Sequence, residues 1–339
     1  MTTTSELAQV RTYPYEEGNG LPLFIEPATD ALRTDPAAVA AWFAEHRPIL
    51  DRLSTEIGAI VLRGFPLHET KDFGALIDDY PTPEFGYSAG ATPREGIEGK
   101  VYEATHAPAQ HKLKLHQEMA YLPRYPKRLA FYCKTAPETG GETIIGEMRR
   151  FYSNVRPAFR QQVKDKGVLY TRNFRSPDWS SGNEVLDAYH RPWTEAFSTT
   201  DKAKVEDDCA KMGLDFEWIE GGISTKYKGQ GVLDHPDTGE EIWFNQIATQ
   251  SLTVENVGEE RAGMYDKHYA SHPRPYDTRL GDGTPIDAGD LSSLYPLLDE
   301  VTVGFGWQHG DVMILDNFFT SHGRNAYTGK RDVQVALLG

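Results

Sequence analysis

Two histidines and a glutamate are the residues through which this chain could do chemistry. His116-Gln117-Glu118 sets an imidazole and a carboxylate two residues apart, His322 follows 206 residues after His116, and Arg331 stands nine residues beyond that. Side chains at i and i+2 of an extended segment project to one side, so His116 and Glu118 can grip one ion. Two neutral imidazoles and a carboxylate on one face of a metal, with the remaining positions open, form the ligand set that holds non-haem Fe(II). His-x-Glu alone is a weak signal, since a histidine at a strand end is more often a satisfied polar residue than a ligand. The flanking sequence has to separate the two readings.

The elements around these residues read mainly as strands. KLKLH alternates polar and apolar residues up to His116, RLAFYCKTA (128–136) has the texture of a buried strand, and the turn PETGGE leads to TIIGEM. Near the C-terminus come EEIWFNQI, GDVMILDN and DVQVALL, the last after a turn at Tyr327–Lys330. On the N-terminal side, Asp35-Pro36 predicts a cap and first-turn proline for a helix over AAVAAWFAEHRPILDRLSTEIG, with a kink or a break at Pro48. The strand AIVLRGF (59–65) and a helix over about 71–79 follow. The middle, about 145–235, reads as irregular with one clear helix, capped at Thr200-Asp201 and striped by Val205, Cys209 and Met212. Together these predict a mainly β, α+β fold with flanking helices. Its expected core is a double-stranded β-helix (jelly roll), with a long insertion between the metal-ligand motifs. No linker parts the chain, so one domain is expected over 1–339, with about 145–235 a partly helical insertion or lid. Because the last residues are still apolar, a few more are expected beyond them.

Bulk properties narrow the function. A formal charge of −15 argues against nucleic acid, whose phosphates such a surface repels. No apolar run approaches the roughly 20 residues of a membrane span. The N-terminus lacks a basic start and apolar stretch, which predicts a cytoplasmic protein with no membrane association. Cys133 and Cys209 give neither a disulfide framework nor a zinc pattern. Gly86-Tyr87-Ser88-Ala89-Gly90 matches the G-x-S-x-G elbow of serine hydrolases, but Pro81, Pro83 and Pro93 leave no room for its strand and helix. A glycine-rich loop near a pocket is the better reading.

HQEMAYLPRYPKRLAFYCKTAPETGGET and WQHGDVMILDNFFTSHGRNAYTGKR closely resemble the two signature segments of the taurine dioxygenase/clavaminate synthase-like oxygenases, which use Fe(II), 2-oxoglutarate and O2. The resemblance also takes in GAIVLRGF, KVYEATHAP and HPDTGEEIWFNQ, and so covers most of the chain from about residue 20. It implies that His116, Glu118 and His322 are the catalytic metal ligands. Thr143, 27 residues after His116, would contact 2-oxoglutarate, and Arg331 would anchor its distal carboxylate. The family often carries two adjacent arginines where this chain has Arg331-Asp332. A strict transfer points to Asp332, which cannot bind an anion, so Arg331 is the physical choice and Arg324 the fallback. His309, beside the Gly310-Asp311 turn, falls outside the ligand motif, and His106, His111, His235 and His272 read as surface or packing residues.

Glu118 also speaks against halogenation, because halogenating relatives carry glycine or alanine there. Hydroxylation is the default expectation, with desaturation, epoxidation or cyclisation at the same site as alternatives, and a non-catalytic metal- or small-molecule-binding jelly roll as the rival from another class. The texture of YEATHAP and GEEIWFNQ is that of natural-product amino-acid hydroxylases. That implies an amino acid or derivative as substrate, free or tethered to a carrier protein, in bacterial secondary metabolism of the antibiotic-biosynthesis kind. An acidic chain favours the free form over an acidic carrier. Tyr102, Glu103, Met119, Asn245 and Arg324 are the candidate substrate-lining residues; the sequence fixes no oligomeric state.

Overall fold

The computed structural model describes residues 7–15, 20–83, 96–104 and 107–339. Ser88 with its glycine-rich loop, and His106, lie outside them. An eight-stranded sheet runs in the order Val10–Pro14, Leu23–Pro27, Ala59–Leu62, Val312–Asp316, Arg128–Thr135, Asp332–Leu338, Val101–Glu103, Gly96–Glu98. Its central strands are mostly apolar on both faces because both faces are covered. Along Val312–Asp316, Val312 and Ile314 pack outward with Trp42, Phe43, Leu50 and Leu53 of the helix Pro36–Ile57. Met313 and Leu315 pack inward with Phe131, Cys133, Val333 and Val335.

The helix keeps the predicted cap, Asp35 accepting from Ala37 N, and runs through Pro48 as one 22-residue element. Of the kink or break expected at Pro48, the break is absent: a proline costs an interior helix about 3 kcal/mol, and the buried face on both sides of it offsets that loss. Leu113–His116, Arg128–Thr135, Ile145–Glu147, Glu241–Phe244, Val312–Asp316 and Asp332–Leu338 fall within the predicted strands. A smaller four-stranded sheet, Thr302–Val303, Ile145–Glu147, Thr320–Arg324, Leu113–His116, carries both histidines of the candidate site.

The middle of the chain differs from expectation. It is a second four-stranded antiparallel sheet, Asp215–Ile219, Gly222–Gly229, Val168–Arg175, Tyr276–Leu280, whose last strand lies well beyond residue 235. The helix Lys202–Met212 stands as predicted, with Asp201 capping Ala203 N and Val205, Cys209 and Met212 buried. Four further helices accompany it, Met148–Asn154, Pro157–Lys166, Glu184–Tyr189 and Trp193–Ala196. The strand Val168–Arg175 escapes a pattern search because VLYTRNFR places an arginine at an inward position: Tyr170, Arg172 and Phe174 are all buried. Among the described residues no helix is long and apolar enough to cross a membrane.

Candidate metal centre

Cross-strand pairing brings the distant histidines together. His322 and His116 are directly opposed in the antiparallel pair Thr320–Arg324 and Leu113–His116, and their ring centroids are 4.4 Å apart. Glu118 lies just past the strand end, with its Oε2 3.4 Å from His322 Nε2. One ligand atom from each of the three residues lies within 4.8 Å of the other two, and among the described residues no other group of histidine, cysteine or carboxylate side chains does this. Glu118 and His322 are 6% and 4% exposed, so water does little to stabilise the carboxylate.

The donor set fits a divalent cation. His116 Nδ1 lies 2.9 Å from the Lys114 carbonyl, which fixes the proton on Nδ1 and leaves the Nε2 lone pair for a metal. The His322 ring sits 5.3 Å from that of Phe131, on the inner face of the large sheet.

The segment that presents Glu118 is held from behind. Asn317 Oδ1 accepts from Glu118 N at 2.7 Å, and Asn317 Nδ2 donates to Glu118 O at 3.0 Å and to Pro126 O at 2.9 Å. The Gln117 amide, pointing the opposite way from its two neighbours, donates to Trp243 O and Phe318 O at 2.8 and 2.7 Å. Gln246 Nε2 donates to Gln117 O at 2.6 Å. Asp316 accepts from Phe318 N and Phe319 N at 2.9 and 3.1 Å and from Thr55 Oγ1 at 2.8 Å. Asp316 and Asn317 stand inside the second signature segment and Gln246 at the end of HPDTGEEIWFNQ, yet the sequence assigns them no role; nothing local marks a residue whose partners are far along the chain.

Arg331 and Thr143 also meet. Arg331 Nη2 donates to Thr143 Oγ1 at 3.3 Å and its Nε to Gly141 O at 2.9 Å, while Trp307 Nε1 donates to the same hydroxyl at 3.2 Å. Burial pushes the Arg331 guanidinium down to about 10, with the charge of Arg324 acting in the same direction. Among the described residues no carboxylate pairs with it. The turn needs its glycines: at Gly140 (φ +66°) a Cβ would lie 2.2 Å from Ala326 O, and at Gly141 (φ +70°) 3.2 Å from Arg331 Cδ.

The remaining candidates separate. Arg324 is 2% exposed and its guanidinium donates to the carbonyls of Ala107, Pro108 and His111. Asn245 bonds Gly231 O and Ile247 N, so its neighbour Gln246 is the one that reaches the ligand segment. Met119 is buried with φ +59°, a left-handed conformation unusual for this residue type. Tyr102 and Glu103 pair with Val335 and Gln334 on the strand next to the edge of the large sheet. Asp332 opens the last strand and accepts from Gln334 Nε2 at 3.3 Å. His309 is exposed and bound to Lys134 O, whereas His235 is a packing residue, stacked on Phe319 and 3.1 Å from Asp316 Oδ2.

The profile of the taurine catabolism dioxygenase TauD, TfdA family matches residues 22–337. A clavaminate synthase-like protein of Arabidopsis thaliana is 31% identical over 293 residues, 85% of this chain and 83% of that protein. The dapdiamide synthesis protein DdaC of Enterobacter agglomerans is 30% identical over 306 residues, 90% of this chain and 88% of its own length. Among solved structures, PvcB of Pseudomonas aeruginosa aligns with a TM-score of 0.52 at 16% identity, covering 97% of this chain and 91% of that one; this is a likeness of fold. The chain belongs to the taurine catabolism dioxygenase TauD, TfdA family and is a non-haem Fe(II)- and 2-oxoglutarate-dependent dioxygenase.

Proposed function

We propose that this oxygenase hydroxylates an unactivated C–H bond of an amino acid or amino-acid-derived small molecule, with Fe(II) held by His116, Glu118 and His322. The observation that carries the reading is the convergence of these three side chains within 4.8 Å. Fe(II) bound there with 2-oxoglutarate and O2 supplies the oxidising power for the C–H bond. The chain's own residues bind and orient. Arg331 offers a buried fork to the far carboxylate of 2-oxoglutarate. Thr143 Oγ1 already accepts from Arg331 and Trp307, so its proton is what it has left to donate to that carboxylate. We read the large sheet and the small histidine-bearing sheet as the two walls of the jelly roll. The protein is assigned to the cytoplasm, with the substrate free rather than carrier-bound.

Support for an amino-acid-derived substrate in secondary metabolism comes from the relative named for dapdiamide synthesis, while the carboxylate at position 118, where halogenating relatives carry a small residue, favours hydroxylation over halogenation. Tyr102, Glu103 and Met119 remain candidate lining residues. The test is conversion of an amino-acid panel with Fe(II), 2-oxoglutarate and O2, read by succinate release and by mass spectrometry. A gain of about 16 mass units marks hydroxylation and a loss of about 2 marks desaturation or ring closure. His116→Ala and Glu118→Ala should each abolish substrate-linked succinate release. A variant that consumes 2-oxoglutarate like the wild type, in the presence of substrate, overturns the ligand assignment.

A further inference from the structure

His235 makes more contacts than packing requires. Its ring stacks on Phe319 with 4.2 Å between centroids and 9° between planes, a contact that phenylalanine would make as well. Both ring nitrogens are also bonded. Nδ1 accepts from Asp237 N and Thr238 N at 3.1 and 3.2 Å, so it carries no proton. The ring proton therefore sits on Nε2, which donates to Asp316 Oδ2 at 3.1 Å. His235 and Asp316 are each 2% exposed, and a polar ring is tolerated at that depth only with its hydrogen bonds made.

The bond from His235 completes the coordination of a buried carboxylate by donors on every side. Asp316 Oδ1 accepts from Phe318 N and Phe319 N. Oδ2 also accepts from Thr55 Oγ1, and because Arg128 Nη2 donates to that hydroxyl at 3.0 Å, the hydroxyl proton is left for Asp316. The turn held in this way carries Asn317, which bonds Glu118 N and O, and Phe318 O, which accepts from Gln117. His235 itself begins the tip of a hairpin between the strands Gly231–Asp234 and Glu241–Phe244. Two backbone bonds of 2.8 Å close that tip, His235 N to Glu240 O and Gly239 N to His235 O. At the other end of the same hairpin, Trp243 O accepts from Gln117 Nε2 and Gln246 Nε2 donates to Gln117 O. The hairpin thus meets the ligand segment directly at its base and, through Asp316, indirectly at its tip.

We propose that His235 is a positioning residue of the metal centre: by donating to Asp316 it fixes the 316–319 turn and, through Asn317 and Phe318, holds Glu118 where it ligates the metal. Hydrogen bonds behind a ligand orient it and set metal affinity, and a network with every member satisfied keeps one geometry. His235 reaches the centre only through Asp316 and the turn that Asp316 holds. This rests on His116, Glu118 and His322 as the metal ligands and deepens that reading.

The test is Mn(II) titration of the full-length apoprotein, with urea unfolding run alongside. His235→Phe keeps the stack on Phe319 and loses the donor. His235→Asn keeps an acceptor for the two backbone amides but falls short of Asp316, whereas His235→Gln reaches Asp316 with an N–H. His235→Phe and His235→Asn should each weaken Mn(II) about tenfold, and His235→Gln should stay within about threefold of the wild type. Arg149→Met is the packing control: its guanidinium carbon also lies on the Phe319 ring, 3.3 Å from the centroid. That variant should unfold at lower urea and bind Mn(II) like the wild type. The proposal is overturned if either His235→Phe or His235→Asn keeps wild-type affinity, or if His235→Gln falls as far as they do. It is equally overturned if Arg149→Met falls with them, since lost packing would then be the cause. Should His235→Phe not fold, His235→Asn against His235→Gln decides. A wild type that binds no Mn(II), or a His116→Ala variant that binds it undiminished, would sink the ligand reading and the proposal with it.

Discussion

The ligand-bearing segment and the middle sheet are both buried, yet they treat polar groups in opposite ways. Behind Glu118, each amide hydrogen-bonding group of Asn317 and the donor end of Gln117 has a backbone partner. Around the middle sheet, Arg175 Nε, Trp193 Nε1 and the Tyr269 hydroxyl are buried with no hydrogen-bond partner among the described residues. A satisfied network holds its members in one geometry, whereas a buried unpaired group costs about 1–3 kcal/mol. The first region is built to hold ligand atoms still. The second carries a stability cost that a purely structural sheet could shed by apolar substitution.

Asn317→Ala should give the largest effect short of removing a ligand. It strips three bonds from the Glu118 segment, so metal affinity should fall about 10–100-fold and stability by about 3 kcal/mol. Manganese titration of the apoprotein together with urea unfolding checks this. Unchanged metal affinity would mean that the network supports only the fold, and the contrast between the two regions would lose its functional side.

His190 gives the next largest effect, read through pH. It is 7% exposed, and burial pushes its imidazole down to about 4 from 6.5. A depressed histidine leaves the native state binding fewer protons than the unfolded chain. Its contribution is therefore intact above pH 6.5 and is lost as pH falls toward 4. Between pH 7.5 and 5.5 this should remove about 1 kcal/mol of stability, and His190→Phe should flatten that part of the profile. An unchanged slope in urea-unfolding curves across this range would show that His190 finds a partner in solution.

The smallest effect is expected at the thiols. Cys133 and Cys209 are both fully buried and burial pushes each up to about 12. Neither should react with a thiol reagent in the native protein, and both should react after unfolding. Fast labelling of Cys209, beside the middle sheet, without labelling of Cys133 would sharpen the contrast by showing that this side opens first.

Strand periodicity and turn residues were legible wherever an element's burial follows a local rule, as in RLAFYCKT and VMILD, where both faces are apolar. The candidate ligands were legible because the chemistry requires those residue types at a short spacing beside a strand. The strand Val168–Arg175 of the middle sheet was not, because an arginine occupies an inward position and the pattern breaks there.

By itself the sequence determined which side chains could hold a metal, and that strands would carry them. Only the tertiary structure decided which of them meet. Opposing His116 to His322 takes a pairing across 206 positions, and aiming Arg331 rather than Arg324 at Thr143 takes the loop that occupies Arg324 with three carbonyls. The placement of His235 against Asp316 is of the same kind. Residue type and local period act over a few positions, whereas the partner of a buried polar group is set by whichever strand the fold lays beside it.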